Sequence, residues 1–257
     1  MQSTESDTGR GRCLLVIDFD HTISEKNTDS WVLRSLLSED TVEKILASRQ
    51  TEKFPWQQVM RNGFQALYNK NCFKDQIVNA IEEIPLVNGF AKFIESVGKQ
   101  SHCEIIIASD SNTVFIEALL RKHKLVPYID HVFTNPANFD NQGHLRLFPH
   151  HSHSCKTCEP NICKQKILRQ HMEERERNGG KYDQIFVIGD GGNDFCPCKL
   201  LTENDVIFPR KGYRLIKKLE RLSKSGDEEP VLASIVPWED GEDLLASFKQ
   251  VAGLRLE

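Results

Sequence analysis

The chain has 257 residues, with 33 lysines and arginines against 37 aspartates and glutamates, a net charge of −4. A mildly acidic chain offers no electrostatic case for nucleic acid or an anionic membrane as its main partner. Charged residues at 27% and apolar ones at 39% describe an ordinary globular protein, neither disordered nor fibrous, and the best apolar runs, residues 14–17 and 105–108, fall far short of the ~20 residues that span a bilayer.

In chain order, residues 1–12 (MQSTESDTGRGR) lack the apolar stretch of a secretory signal and read as a disordered leader. Residues 13–19 (CLLVIDF) form an apolar run with an acidic end, the pattern of a strand buried on both faces. Residues 28–85 contain no strand pattern; helical periodicity runs over 31–37, 41–46, 56–68 and 74–84, broken at Pro55 and Pro85. Inserted between two strands, this stretch is expected to be a small helical cap. A second buried strand follows at 104–109 (EIIIAS), then a helix at 114–123 with Ile116, Leu119 and Leu120 on one stripe. Turn residues around 141–143 inside 132–147 predict a β-hairpin. A third strand at 184–189 (QIFVIG) runs into Asp190-Gly-Gly-Asn-Asp, and a short fourth is expected at 205–208. Residues 223–230 read as an exposed loop, and the last helix begins near Glu239. Strands alternating with helices argue an α/β fold: a Rossmann-like parallel sheet core formed by 13–27 and 86–257, with the helical cap (28–85) inserted and a small hairpin appended. Ligands of such sheets bind at the carboxyl ends of the strands.

Chemistry gathers at those ends. Asp18 and Asp20, two apart on an extended segment, face the same side. Close carboxylates repel unless a proton or cation lies between them, and Mg2+ suits hard oxygen donors that share the ion with a substrate phosphate. The third strand adds Asp190 and Asp194, beside glycines that permit close backbone approach, and the second ends in Ser109, a hydroxyl able to hold a phosphoryl oxygen.

Asp18, Asp20 and Thr22 as D-x-D-x-T, then Ser109, Lys164, and Asp190 with Asp194 resemble the four motifs of the haloacid dehalogenase superfamily. The strings DFDHTI…NTDSW, ASDSN, CKTCEPNICK, GDGGNDFCP, FPRKGY and VPWEDG are further similar to the phosphoethanolamine/phosphocholine phosphatases and their pyridoxal-phosphate phosphatase relatives. The resemblance covers about residues 13–245. It implies a cytoplasmic, Mg2+-dependent phosphatase of small phosphomonoesters that works through an aspartyl-phosphate. Asp18 is then the nucleophile and Asp20 the general acid and base. The metal is held by the carboxylates of Asp18 and Asp190 and the main-chain carbonyl of Asp20, with Asp194 in support. Ser109 and Lys164 hold phosphoryl oxygens; Lys166 competes with Lys164 on spacing, and only the family string favours Lys164. Asp29 and Asp110 bind the leaving group, although as isolated residues they read equally as a helix cap and a strand terminator. The WEDGED string also resembles plant phosphatases of thiamine monophosphate or pyrophosphate, which leaves those substrates open. A non-catalytic scaffold on the same fold would need a lost motif, and all four are present; oligomeric state is left undetermined.

Eight cysteines in a chain without export signals are expected to be reduced thiols. Cys155, Cys158 and Cys163 lie among His150, His151 and His153, a grouping able to bind zinc. A complete site usually shows a second CxxC or HxxxH, and packing thiols are the preferred reading. Cys196 and Cys198 read as a buried structural pair, His21 as a loop residue, and Trp31 as either a pocket wall or cap core.

Overall fold

The computed structural model describes residues 11–225 and 230–253; most of the expected leader and the middle of the expected 223–230 loop lie outside the described residues. Six parallel strands form the main sheet: β1 (Cys13–Ile17), β2 (Cys103–Asn112), β3 (His131–Asn135), β6 (Gln184–Gly189), β7 (Val206–Pro209) and β8 (Ser234–Ile235), in the order β3-β2-β1-β6-β7-β8. β4 (Ala137–Phe139) and β5 (Leu145–Leu147) pair antiparallel as the expected hairpin. Asp140 shapes its turn by accepting the amides of Gln142 and His144, at 2.9 and 3.0 Å, while Gly143 supplies a φ of +82°.

The period of two divides the strands between two cores. Leu15, Ile17, Ile105, Ile107, Phe186 and Ile188 enter one, whereas Leu14, Val16, Ile106, Ala108, Ile185 and Val187 enter the other. The first face is covered by α5 (Phe90–Gly98), α6 (Thr113–Lys122) and α10 (Gly241–Val251), through Phe90, Phe93, Phe115 and Phe248. The second is covered by α7 (Lys164–Arg177), the short α8 (Phe195–Cys198) and α9 (Arg214–Ser225), through Ile167, Leu168, Phe195, Leu215 and Leu219. At ~25 cal/mol per Å2 of buried apolar surface, these two layers supply the main driving force for folding. Among the described residues no helix is long and apolar enough to cross a membrane.

Between β1 and α5 the chain forms α1 (Thr28–Leu36), α2 (Glu39–Thr51), α3 (Trp56–Asn69) and α4 (Lys74–Glu82). Val32, Leu33, Met60, Phe64 and Ile77 from this insertion join the same apolar cluster as the first sheet face. Its entry and exit run side by side: Ser24 bridges Leu86, and Val87 donates to the Ile23 carbonyl at 3.0 Å.

Two strands were not expected from the sequence. β3 begins with the exposed His131 and Val132, and β8 is a pair of exposed residues, so neither edge carries a buried apolar run. The reading of all eight cysteines as reduced thiols is corrected at one pair. Cys13 and Cys103 face each other in register on β1 and β2, with Cα atoms 4.7 Å apart, and are joined as a disulfide.

Candidate active site

The sheet order reverses beside β1, so the segments that leave β1 and β6 part and open a crevice at their carboxyl ends. Asp18 is still held by the sheet, its amide donating to the Ile188 carbonyl at 2.9 Å. Beyond it the chain coils: the amides of Thr22, Ile23 and Ser24 all donate to the Phe19 carbonyl, and His21 takes a φ of +56°. Asp20 thereby meets the start of α1. Its carboxylate accepts the Asn27 side-chain amide at 2.8 Å and the Thr28 backbone N–H at 3.0 Å, at the N-terminus of α1. The spacing predicts two carboxylates on one side of an extended strand. Because the strand ends at Ile17, they share a cavity but serve different partners. Burial, and then Asp29, push the Asp20 carboxyl well above its ordinary pKa.

β6 delivers the other acids. A Cβ at Gly189 would meet the Asp194 carboxylate at 2.4 Å, so glycine is what admits that side chain beneath the strand end. Asp194 accepts the Gly191 amide at 2.8 Å and pairs with the Lys164 ammonium at 2.6 Å. Lys164, the first residue of α7, also lies 2.7 Å from Asp18 and is only 2% exposed. Burial opposes its charge, but Asp18, Asp194 and Asp110 outweigh burial and hold the pKa above the ordinary lysine value. Lys166, its competitor by spacing, instead faces the outer loop and donates to the Ser152 carbonyl.

Asp18, Asp190 and Asp194 each bring a carboxylate oxygen within 4.8 Å of the others. One lysine among three carboxylates leaves excess negative charge in a buried place. Accordingly, burial and then Asp18 drive Asp190 up to about 8 and Asp194 up to about 7. A hard divalent cation relieves that charge, and the all-oxygen donor set fits Mg2+.

The cavity, about 850 Å3, is lined by Asp18, Asp20 and Asp190 at its floor and by Asp110, Trp56 and Glu159 toward the insertion. β2 continues to Asn112, three residues past the expected end at Ser109, and so contains Asp110, whose pKa burial raises and Lys164 lowers, with a net rise. Asp29, buried in the first turn of α1, accepts the Trp56 indole N–H at 2.8 Å, and burial lifts it to about 7. Ser109 is fully buried, and its hydroxyl accepts the Ser111 amide at 3.2 Å. Trp31 is not the wall: its indole donates to the Ala80 carbonyl inside the insertion. Trp56 takes that place, and Glu159 reaches across to it, accepting the Trp56 backbone amide at 3.2 Å and pairing with Arg49. Sequence reasoning missed Asn27, Arg49, Trp56 and Glu159. For Asn27 a signal existed, since Asn-Thr-Asp-Ser is a helix start; the other three meet only through the tertiary fold.

The family described as Putative Phosphatase matches residues 13–252. The pyridoxal phosphate phosphatase PHOSPHO2 of Mus musculus is 35% identical over 239 residues, covering 93% of this chain and 98% of the relative. A phosphoethanolamine/phosphocholine phosphatase of Homo sapiens is 35% identical over 244 residues, covering 95% and 90%. Among solved structures, a haloacid dehalogenase (HAD) family hydrolase of Salmonella enterica serovar Typhi aligns with a TM-score of 0.65 at 13% identity, over 96% of this chain and 73% of that one. A substrate-bound phosphoserine phosphatase aligns at 0.56 and 17%, over 84% and 98%. At such identities the structural likeness concerns the fold.

Proposed function

The chain belongs to this family of HAD-fold phosphatases, and from that premise we propose that it is a Mg2+-dependent hydrolase of small phosphomonoesters with a cationic leaving group, working through a phosphorylated Asp18. In this reading residues 28–85 act as a cap over the core formed by 13–27 and 86–257. The observation that carries the proposal is the meeting of Asp18, Asp190, Asp194 and Lys164 at the carboxyl ends of β1 and β6.

The roles follow from the contacts. An Asp18 oxygen attacks phosphorus; the new O–P bond forms as the bond from phosphorus to the ester oxygen breaks. Asp20, whose raised pKa keeps its proton available, donates that proton to the departing alkoxide. It then takes a proton from a water that attacks phosphorus, which releases inorganic phosphate and restores Asp18. Lys164, fixed between Asp18 and Asp194, offers positive charge to the phosphoryl oxygens, and the Ser109 hydroxyl is assigned to the same group. Asp18, Asp190 and the Asp20 carbonyl would hold Mg2+, with Asp194 in support; when bound, the ion neutralises charge on the transferring phosphoryl group.

Asp110 and Glu159 line the cavity beside the Trp56 indole, whose N–H is held from behind by the buried Asp29. Carboxylates next to an aromatic face favour an ammonium head, by charge and by cation–π attraction. Phosphoethanolamine and phosphocholine therefore rank first. Pyridoxal 5′-phosphate is the second reading, since the same indole offers a stacking surface to an aromatic ring.

Phosphate release measured across phosphocholine, phosphoethanolamine, pyridoxal 5′-phosphate, thiamine monophosphate, pyrophosphate and a neutral monoester tests the ranking. The highest kcat/KM is expected for the two amino-alcohol esters, with activity stopped by chelation and restored by Mg2+. A preference for the neutral ester, or full activity after exhaustive chelation, overturns the proposal.

A further inference from the structure

The residues 148–163 form a stretch without regular secondary structure between β5 and α7. Loops of this length inside compact domains ordinarily carry a function or a staple. Its histidines are already engaged in shaping it. His153 Nε2 bonds the Glu159 carbonyl at 2.7 Å while its Nδ1 accepts the Cys155 amide, and His151 Nε2 accepts the Cys163 amide at 3.1 Å. The sulfurs tell a different story. Cys155, Cys158 and Cys163 from this loop and Cys196 from α8 place all four Sγ atoms within 4.8 Å of one another. Cys155–Cys196 is 3.6 Å and Cys163–Cys196 is 3.9 Å.

Those two separations bracket the ~3.8 Å edge of a tetrahedron whose centre lies ~2.3 Å from each corner, the zinc–thiolate distance. They are far beyond the ~2.05 Å of a disulfide, and all four cysteines are free. Polar groups approach two of the sulfurs: the Thr157 hydroxyl lies 3.1 Å from Cys155 Sγ and 3.9 Å from Cys196 Sγ. Cys163 is also the N-cap of α7, a 14-residue helix, where the dipole favours negative charge. Outer-sphere donors of this kind orient metal ligands and stabilise their charge.

We propose that Cys155, Cys158, Cys163 and Cys196 bind one zinc ion in a closed, all-thiolate structural site. Each thiol releases its proton to solvent as its Zn–S bond forms, and nothing is oxidised or reduced. The preference for packing thiols rested on the lack of a fourth ligand near the CxxC. That ligand is Cys196, 33 residues beyond Cys163 in sequence. The ion clasps three segments that face the substrate cavity: Cys163 adjoins Lys164, Cys196 lies two residues past Asp194, and Cys158 adjoins Glu159. It is a positioning device behind one wall of the cavity, and it takes no part in the chemistry on the ester.

The test uses full-length protein prepared reduced and without chelator. Elemental analysis is expected to find about one zinc per chain that survives dialysis into Mg2+ buffer, and X-ray absorption at the zinc edge to report four sulfur neighbours near 2.3 Å. Cys196→Ser and Cys158→Ser should each weaken zinc retention at least tenfold, while Cys72→Ser and Asp190→Asn keep the ion. Should the serine variants not fold, Co2+ titration of reduced, metal-stripped wild type supplies the reading: thiolate-to-cobalt charge-transfer absorption saturating at one equivalent. Less than a tenth of an equivalent of zinc in protein from zinc-supplemented growth, iron in its place, zinc lost in Asp190→Asn but kept in Cys196→Ser, or a disulfide among the four cysteines overturns the proposal.

Discussion

The two ends of the cavity are built on different terms. At the phosphate end, Asp18 and Asp190 adjoin the tips of neighbouring parallel strands, Asp194 is seated beneath one of them against Gly189, and Lys164 bonds Asp18 and Asp194 at 2.7 and 2.6 Å. Sheet hydrogen bonds fix the backbone there, so side-chain positions follow from strand register. At the opposite end, Asp29 comes from a helix, Trp56 and Arg49 from two others and Glu159 from the loop before α7. Every contact among these groups involves at least one side chain, and none is a sheet hydrogen bond. On the proposed roles, the contrast separates reaction from selection: the strand-tip end would serve one chemistry on any monoester, and the assembled end would decide which ester is taken.

The sharpest way to break this division is at the nucleophile. Asp18→Asn should lower phosphate release by roughly 10⁴-fold or more on every ester in a panel, alike for cationic and neutral ones; a loss confined to cationic esters would mean the two ends are not separate. Asp20→Asn should cost about 10²–10⁴-fold on alkyl esters, and much less on esters whose leaving group needs no proton. In wild type, deprotonation of Asp20 as pH rises through its elevated pKa should lower the rate on alkyl esters, and the variant's profile should lose that limb.

Lys164→Met leaves the buried Asp18 and Asp194 unpaired and should destabilise the fold by about 3–5 kcal/mol, whereas Lys166→Ala, in the first turn of α7 with its ammonium on the Ser152 carbonyl, should leave the melting temperature nearly unchanged. Calorimetry of both in Mg2+-free buffer decides it. At the selecting end the expected effects shrink. Asp29→Asn and Asp110→Asn should lower the phosphocholine-to-neutral-ester ratio of kcat/KM by a factor equivalent to about 1–3 kcal/mol; an unchanged ratio in the double variant moves selection elsewhere. The last expected effect concerns stability. Asp29 is lifted from 3.8 to about 7 in the fold, so the folded state holds its proton more tightly than the unfolded one. Its contribution to stability therefore declines as pH rises from about 3.8 to 7 and is level above. Asp29→Asn should raise the melting temperature more at pH 8 than at pH 5, and the reverse order would show that the carboxylate is not desolvated as described.

Much of the rigid end could be read in the sequence because its causes are local. Continuous β-branched runs bounded by Asp18, Ser109 and Asp190 mark buried parallel strands, with Asp18 and Asp190 just past their tips and Ser109 three residues before the end of β2, and GDGGND announces a tight turn that carries acids. The selecting end could not be read in this way. Nothing local distinguishes Trp56, a cavity wall, from Trp31, a half-buried residue whose indole bonds within the insertion, because the difference is set by how α1 and α3 cross, with Leu33 against Gly63. The same limit hid the Cys13–Cys103 pairing, which depends on the register of β1 against β2, and hid Cys196 as a neighbour of the CxxC loop. Edge strands β3 and β8 escaped because exposure removes the apolar pattern that identifies a strand.

The three residues Asn27, Thr28 and Asp29 touch both ends at once. Asn27 and Thr28 bond the Asp20 carboxylate, and the next residue, Asp29, turns its own carboxylate to Trp56. On the proposed roles, delivery of the proton and choice of the alcohol that receives it would hang on a single helical turn. A change in the insertion that moved this turn would then disturb the acid as well, whereas replacement of side chains that approach from α3 or from the loop before α7 would leave it in place.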